Sequence, residues 1–182
     1  AGPLVIHRMS ADGKRLLESC YEEFPILIAE DEPADAELIT RALTRARHDV
    51  AFERVDTERT LTQALAREVR DIVLCDFTMP QFNGKTALSI VRATDADLPF
   101  IYVSGTIGED AAVEALKSGA NDYVLKNNLT RLAPAVEREL VIQALKETKD
   151  NQVHAAQLLG ITRANLRKRL EKFGIQRELE IK

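Results

Sequence analysis

Between Pro25 and Glu139 the chain alternates short apolar runs with longer stretches whose apolar residues return at helical spacing. The runs Ile26–Ala29, Val50–Val55, Ile72–Cys75, Phe100–Val103 and Asp122–Leu125 are the predicted strands. Helices are predicted to start near Pro33, Thr57, Gly84, Gly108 and Leu129, on periodic sets such as Leu38, Ile39, Ala42, Leu43 and Leu61, Ala64, Leu65. Three of the runs are apolar almost throughout, as strands covered on both faces should be. Alternation of strand and helix implies parallel strands joined by right-handed crossovers, hence an α/β, three-layer, doubly wound fold.

After Thr148 the pattern becomes all-helical. Asn151 is placed to cap a helix through Leu159, Gly160 breaks it, and Thr162 starts a second helix that Gly174 ends after Phe173. Two short helices joined by a glycine turn form a helix-turn-helix candidate. Between the two regions, Leu129 to Thr148 has no Gly and no Ser, and its single Pro is Pro134, so it does not read as a flexible linker. Leu132, Val136, Leu140, Ala144 and Leu145 form a helical stripe there. The last sheet-packing helix therefore runs into, or abuts, the first helix of the C-terminal part; two helices with a break near residues 137–140 are the alternative. The expected organisation is an N-terminal stretch 1–24, an α/β domain 25–139 and a small all-α domain 140–182.

Composition narrows the class. A chain of 182 residues has room for one generous domain or two modest ones. With 45% hydrophobic residues but only 5% aromatic and no Trp, its core must be aliphatic. No apolar run reaches the roughly 18 residues needed to cross a bilayer, and no signal peptide is legible. Ala1 to Arg8, ahead of Met9, read as a cloning remnant; Ser10 to Phe24 carries a helical set, Leu16, Leu17, Cys20 and Tyr21, whose role is not readable. Cys20 and Cys75 have no metal-ligand spacing and make no disulfide framework, which points to a reducing, cytoplasmic setting. The net charge of -4 conceals a division. Residues 25–136 hold 12 basic and 18 acidic side chains, whereas residues 149–177 hold seven basic and two acidic, so a polyanion is a plausible partner for the C-terminal part.

The chemistry collects at strand ends. Asp76 follows the third strand, Glu30 and Asp31 the first, Ser104 the fourth and Lys126 the fifth. Open α/β sheets bind ligands at this carboxyl edge. Singly, each residue also fits a turn or a helix cap. Together they offer oxygen ligands suited to Mg²⁺, a nucleophilic carboxylate in Asp76, and a cation and hydroxyl in Lys126 and Ser104 for phosphoryl oxygens.

Residues 25–139 resemble the receiver domain of two-component response regulators. The resemblance rests on Ala29-Glu30-Asp31-Glu32, Asp76-Phe77-Thr78-Met79-Pro80 with Asn83-Gly84, Ser104-Gly105-Thr106, and Asp122-Tyr123-Val124-Leu125-Lys126 in that order. It implies a flavodoxin-like sheet of order 2-1-3-4-5 and phosphorylation of Asp76 by a histidine kinase or phosphotransfer protein. It further implies Mg²⁺ held by Asp31, Asp76 and the Thr78 backbone carbonyl, with Glu30 acting through water, and Ser104 and Tyr123 as a switch pair. Asn127 and Asn128 depart from the pattern, which has proline after the lysine, often in cis. A non-proline cis bond costs about 2.5–4 kcal/mol, so a trans junction is expected, and the segment looks more like receivers attached to sensor kinases.

Residues from about Leu140 to Ile175 resemble the Fis-type helix-turn-helix: Ala144-Leu145, Ala155-Ala156, Leu158-Leu159-Gly160-Ile161, Arg163, Leu166, Lys168, Leu170 and Phe173-Gly174-Ile175 match. With Leu166, Leu170 and Phe173 inward, Thr162, Arg163, Asn165, Arg167, Lys168, Arg169 and Lys172 are left for double-stranded DNA. Arg163 and Asn165 lie at the recognition-helix N-terminus, where base edges are read; Arg167, Lys168, Arg169 and Lys172 suit the phosphates. His154 reads as a surface residue. Fis-type units act as homodimers through the preceding helix, which makes the stripe Leu132–Leu145 the expected seam. The reading is a phosphorylation-controlled transcriptional regulator, with no enzymatic activity beyond its own phosphorylation and dephosphorylation. The alternatives are a phosphorelay intermediate or phosphate sink, and a constitutive DNA architectural protein.

Overall fold

A computed structural model of the chain describes residues 24–46, 50–105 and 109–175. The readings made for residues 1–23, for Thr106 and Gly108, and for Arg177 fall outside the described residues.

All the predicted strands form. β1 (Phe24–Ala29), β2 (Val50–Val55), β3 (Ile72–Cys75), β4 (Phe100–Ser104) and β5 (Asp122–Leu125) make one parallel sheet of order β2-β1-β3-β4-β5. The helices are α1 (Pro33–Arg45), α2 (Glu58–Arg67), α3 (Gly84–Thr94), α4 (Glu109–Lys117), α5 (Leu132–Glu147), α6 (Gln152–Leu158) and α7 (Arg163–Phe173). Leu27, Ala29, Val73, Cys75, Phe100 and Tyr102 pack with Leu61, Ala64, Ala87, Leu88 and Val91 of α2 and α3. The intervening Ile26, Ile28, Ile72, Leu74, Ile101 and Val103 point to the other face by the strand pleat and are also buried. Both faces are covered, which is why these runs are apolar without alternation.

Local chemistry sets where the helices begin. Glu32, Thr57, Asn83, Asn151 and Thr162 each accept a backbone N–H at a helix N-terminus through a side-chain oxygen. Gly160 and Gly174, at φ 61° and 62°, take the left-handed conformation that ends α6 and α7. Lys149 and Asp150 take it after α5, at φ 50° and 60°, without glycine's freedom.

The last helix of the α/β part differs from expectation. A 3₁₀ segment, Lys126–Arg131, follows β5 directly, Asn128 leaves helical geometry at φ -136° and ψ 54°, and α5 starts at Leu132 rather than near Leu129. Pro134 accordingly sits in the first turn of α5, where its missing N–H costs no bond. The described residues contain no cis peptide bond.

Residues 24–136 and 137–175 belong to two compact units, with α5 running through the boundary as one helix of 16 residues. Leu132, Val136, Leu140, Ala144 and Leu145, the expected dimer seam, are all buried within the single chain. Ala133, Ala135, Glu139 and Val141 are buried as well, so α5 is covered on more than the one face that the stripe suggested. Among the described residues no helix is long and apolar enough to cross a membrane.

Candidate functional site

Strand register brings the polar ends together. Ala29 pairs with Cys75, so Glu30 and Asp76, one residue further on, leave the sheet side by side. The Asp76 N–H donates to the Ala29 carbonyl at 2.8 Å, which fixes that junction. Ser104 pairs with Leu125, and Lys126 follows it. Ligand oxygens of Glu30, Asp31 and Asp76 lie within 4.8 Å of one another, close enough to share a cation. The order β2-β1-β3 reverses between β1 and β3, the topological point where such sheets hold ligands.

Lys126 ties the cluster. Its Nζ donates to Asp76 Oδ2 at 2.9 Å and to Asp35 Oδ2 at 2.6 Å. It also lies 2.7 Å from Glu30 Oε2, an ion contact off the hydrogen-bonding direction. Burial works against its charge, and the carboxylates of Asp35, Glu30 and Asp76 more than reverse that, so its pKa is raised. Glu30 is fully buried, and burial pushes its carboxyl pKa up against the pull of Lys126 and of the Glu32 N–H, which donates to Oε1 at 3.2 Å. Asp76 is largely buried, with 8% of its surface exposed. The Thr78 N–H reaches its Oδ1 at 3.4 Å.

Ser104 is buried, and so is Tyr123, whose hydroxyl has no hydrogen-bond partner among the described residues. Burial raises the Tyr123 pKa, the nearby Ser104 hydroxyl draws it back, and the Asp76 charge adds to the rise. The tyrosine side chain is thus already turned inward in this structure.

Three contributors escaped the reading of the sequence. Asp35, in the first turn of α1, was not recognised as a partner of Lys126. An acidic residue one turn beyond a strand-end carboxylate pair was the available signal. Arg54 of β2 donates to the Glu30 carbonyl at 2.8 Å and the Asp31 carbonyl at 3.3 Å, pinning the loop that carries both acids. The sequence marks Gly84 as a motif position and a helix start, but not for its missing side chain. A Cβ there would lie 2.6 Å from Tyr102 Cε1, 2.9 Å from the Asp76 carbonyl oxygen and 3.0 Å from Phe77 Cα. Only glycine lets α3 start that close to the backbone of Asp76.

In the C-terminal unit the seven basic and polar residues read for DNA divide. Arg163, Asn165, Arg167 and Lys168 are exposed on α7. Thr162 is exposed too, but its hydroxyl caps α7 by accepting the Asn165 N–H at 3.2 Å. Arg169 and Lys172 are engaged by Glu137 of α5, at 2.5 Å through Nε and 3.0 Å through Nζ. Glu137 was not singled out in the sequence. Burial would raise its carboxyl pKa, but the bonds from Lys172 and Arg169 outweigh that, and it lies below the ordinary value.

A parallel 2-1-3-4-5 sheet that gathers three acids, a hydroxyl and an ammonium at its carboxyl edge is the arrangement of a receiver-type α/β module. A family model described as response regulator receiver domain matches residues 26–137, and the chain belongs to that family. A second, described as bacterial regulatory protein, Fis family, matches residues 133–173. The DNA-binding response regulator MtrA of Mycolicibacterium smegmatis is 32% identical over 137 residues, covering 75% of this chain and 55% of its own length. The regulatory protein AtoC of Escherichia coli is 34% identical over 125 residues, or 67% of this chain and 26% of its own length. The chain thus spans between about a quarter and about half the length of these curated relatives. The signal receiver domain of a signal transduction histidine kinase from Syntrophus aciditrophicus is similar in structure, with TM-score 0.55 and 25% identity over 64% of this chain and 89% of that one.

Proposed function

We propose that this protein is a two-component transcriptional regulator in which phosphorylation of Asp76 controls DNA binding by a Fis-type helix-turn-helix. The observation that carries the reading is Lys126 Nζ at 2.9 Å from Asp76 Oδ2, with Asp31 and Glu30 beside it at the sheet edge. A carboxylate oxygen of Asp76 forms the new P–O bond as the P–N bond of a kinase phosphohistidine breaks, and the imidazole nitrogen keeps the electron pair. Asp31, Asp76 and the Thr78 carbonyl are the residues that would hold Mg²⁺, with Glu30 acting through water. A bound cation there neutralises charge on the phosphoryl oxygens. Ser104 and Lys126 meet the same oxygens, and Tyr123 reports the change to the neighbouring surface. The assignment of residues 25–139 to the receiver and 140–182 to the DNA-binding domain goes with this reading, as does a homodimer on DNA.

On α7, Arg163 and Asn165 read base edges, and Arg167 and Lys168 grip phosphates. Arg169 and Lys172 set the position of the helix through Glu137, a role different from the phosphate contact expected of them. Labelling with acetyl phosphate tests the phosphoacceptor: wild type takes up phosphate and Asp76→Asn takes up none. Labelling that persists on another residue overturns the assignment.

A phosphorelay intermediate or phosphate sink is the second reading, favoured by the Lys126-Asn127-Asn128 segment and its departure from helical geometry at Asn128. Absence of specific DNA binding in every phosphorylation state decides for it.

A further inference from the structure

We propose that Asp35 is a positioning residue that competes with the phosphoryl group for Lys126 and thereby sets how readily Asp76 is phosphorylated. The inference rests on the reading of Asp76 as phosphoacceptor and adds a regulator of that site.

An ammonium has three N–H donors. Around Lys126 three carboxylates stand at bonding or contact distance: Asp35 at 2.6 Å, Glu30 at 2.7 Å and Asp76 at 2.9 Å. Two of its N–H groups go to Asp35 and Asp76, and Glu30 Oε2, 2.7 Å away though off the bonding direction, crowds the third. A phosphoryl group on Asp76 brings about -1.5 to -2 units of charge and three acceptor oxygens, and it needs this cation. One carboxylate must then yield.

The three differ in what yielding costs them. Glu30 is fully buried, with its other oxygen held by the Glu32 N–H, so it cannot swing out into solvent. Asp76 carries the phosphoryl group itself. The Asp35 side chain is 33% exposed, sits in the first turn of α1 and gains solvent as it lets go. Asp35 is therefore the acceptor that is displaced, and the shortest of the three contacts is the one that must break.

Asp35→Asn removes the charge and keeps the volume. Two measurements test the inference: the initial rate of labelling by acetyl phosphate, and the affinity for beryllofluoride with Mg²⁺, a non-covalent mimic of the phosphoryl group. Each is expected to rise about 1.5- to 5-fold, the range for losing a partly exposed competing ion pair. Asp35→Glu, which still reaches Lys126, stays near wild type, and Asp35→Ala moves in the same direction as Asn. Raising the salt brings the wild-type rate toward that of Asp35→Asn, because the competition is electrostatic; a purely structural role leaves the two rates equally salt-dependent. Equal or lower values in both Asp35→Asn and Asp35→Ala overturn the inference. If wild type is not labelled at all, or Asp76→Asn is labelled as wild type is, the phosphoacceptor reading itself falls; if only the Asp35 variants fail to respond, that reading stands and this inference alone is lost.

Discussion

Gly84 shows how one position without a side chain can hold a site together. Its carbonyl accepts the Tyr102 hydroxyl at 3.0 Å, its N–H donates to the Phe77 carbonyl at 3.0 Å, and the space where a Cβ would stand is already taken by Tyr102 and the backbone of residues 76 and 77. Tyr102 is fully buried and held edge-on by Phe77 and Phe100, so it cannot swing aside. Gly84→Ala is therefore expected to destabilise the α/β unit by about 1–3 kcal/mol, the cost of overpacking a filled core, and to slow labelling of Asp76. Urea unfolding followed by far-UV circular dichroism measures the first effect, and unchanged stability would count against this tight approach. Asp76, Glu30, Asp31, Ser104 and Lys126 were legible because strand-end polar residues break apolar runs visibly. Asp35 and Arg54 were not, because each lies within an element whose other polar residues merely face water.

At the scale of elements, α7 is anchored as well as exposed. Leu166 is buried beneath it, Glu137 of α5 holds Arg169 and Lys172, and the Lys172 ammonium also lies 4.7 Å from the centre of the Phe173 ring. Because the folded pKa of Glu137 is depressed, its contribution to stability is complete above the ordinary carboxyl value of 4.5 and is lost as the pH falls through the lower folded value. Glu137→Gln should cost about 1–3 kcal/mol at neutral pH, and the gap to wild type should close below the ordinary carboxyl range. Thermal unfolding of both proteins from pH 7 downward measures this; a gap that widens on acidification would contradict it. The caps of α6 and α7 were readable from Asn151, Gly160, Thr162 and Gly174, since capping is a property of a few adjacent residues. Burial of α5 on several faces was not readable, since it depends on what surrounds the helix.

For the whole molecule, the expectation is that phosphate on Asp76 alters DNA binding. Acetyl phosphate should change the strength of a specific footprint in wild type and leave Asp76→Asn unaffected. Arg163→Ala should abolish sequence preference, whereas Arg167→Ala should weaken binding evenly and reduce the slope of log affinity against log salt by about 1. Footprinting across a salt series separates these effects, and a slope unchanged by Arg167→Ala would remove that residue from the phosphate contacts.

The order of strands and helices, the candidate phosphoacceptor, the caps of α6 and α7 and the basic face of α7 follow from the sequence by itself, because periodicity, capping and strand-end polarity are local and repeat rules that any chain obeys. The tertiary structure alone decided which groups Lys126 bonds, that Glu137 claims two of the cations read for DNA, that the α5 stripe is already covered, and that Gly84 has no room to spare. Those outcomes join side chains as far apart as residues 35 and 126, and distance along the chain says nothing about which of several chemically equal partners the packed sheet and helices bring within reach.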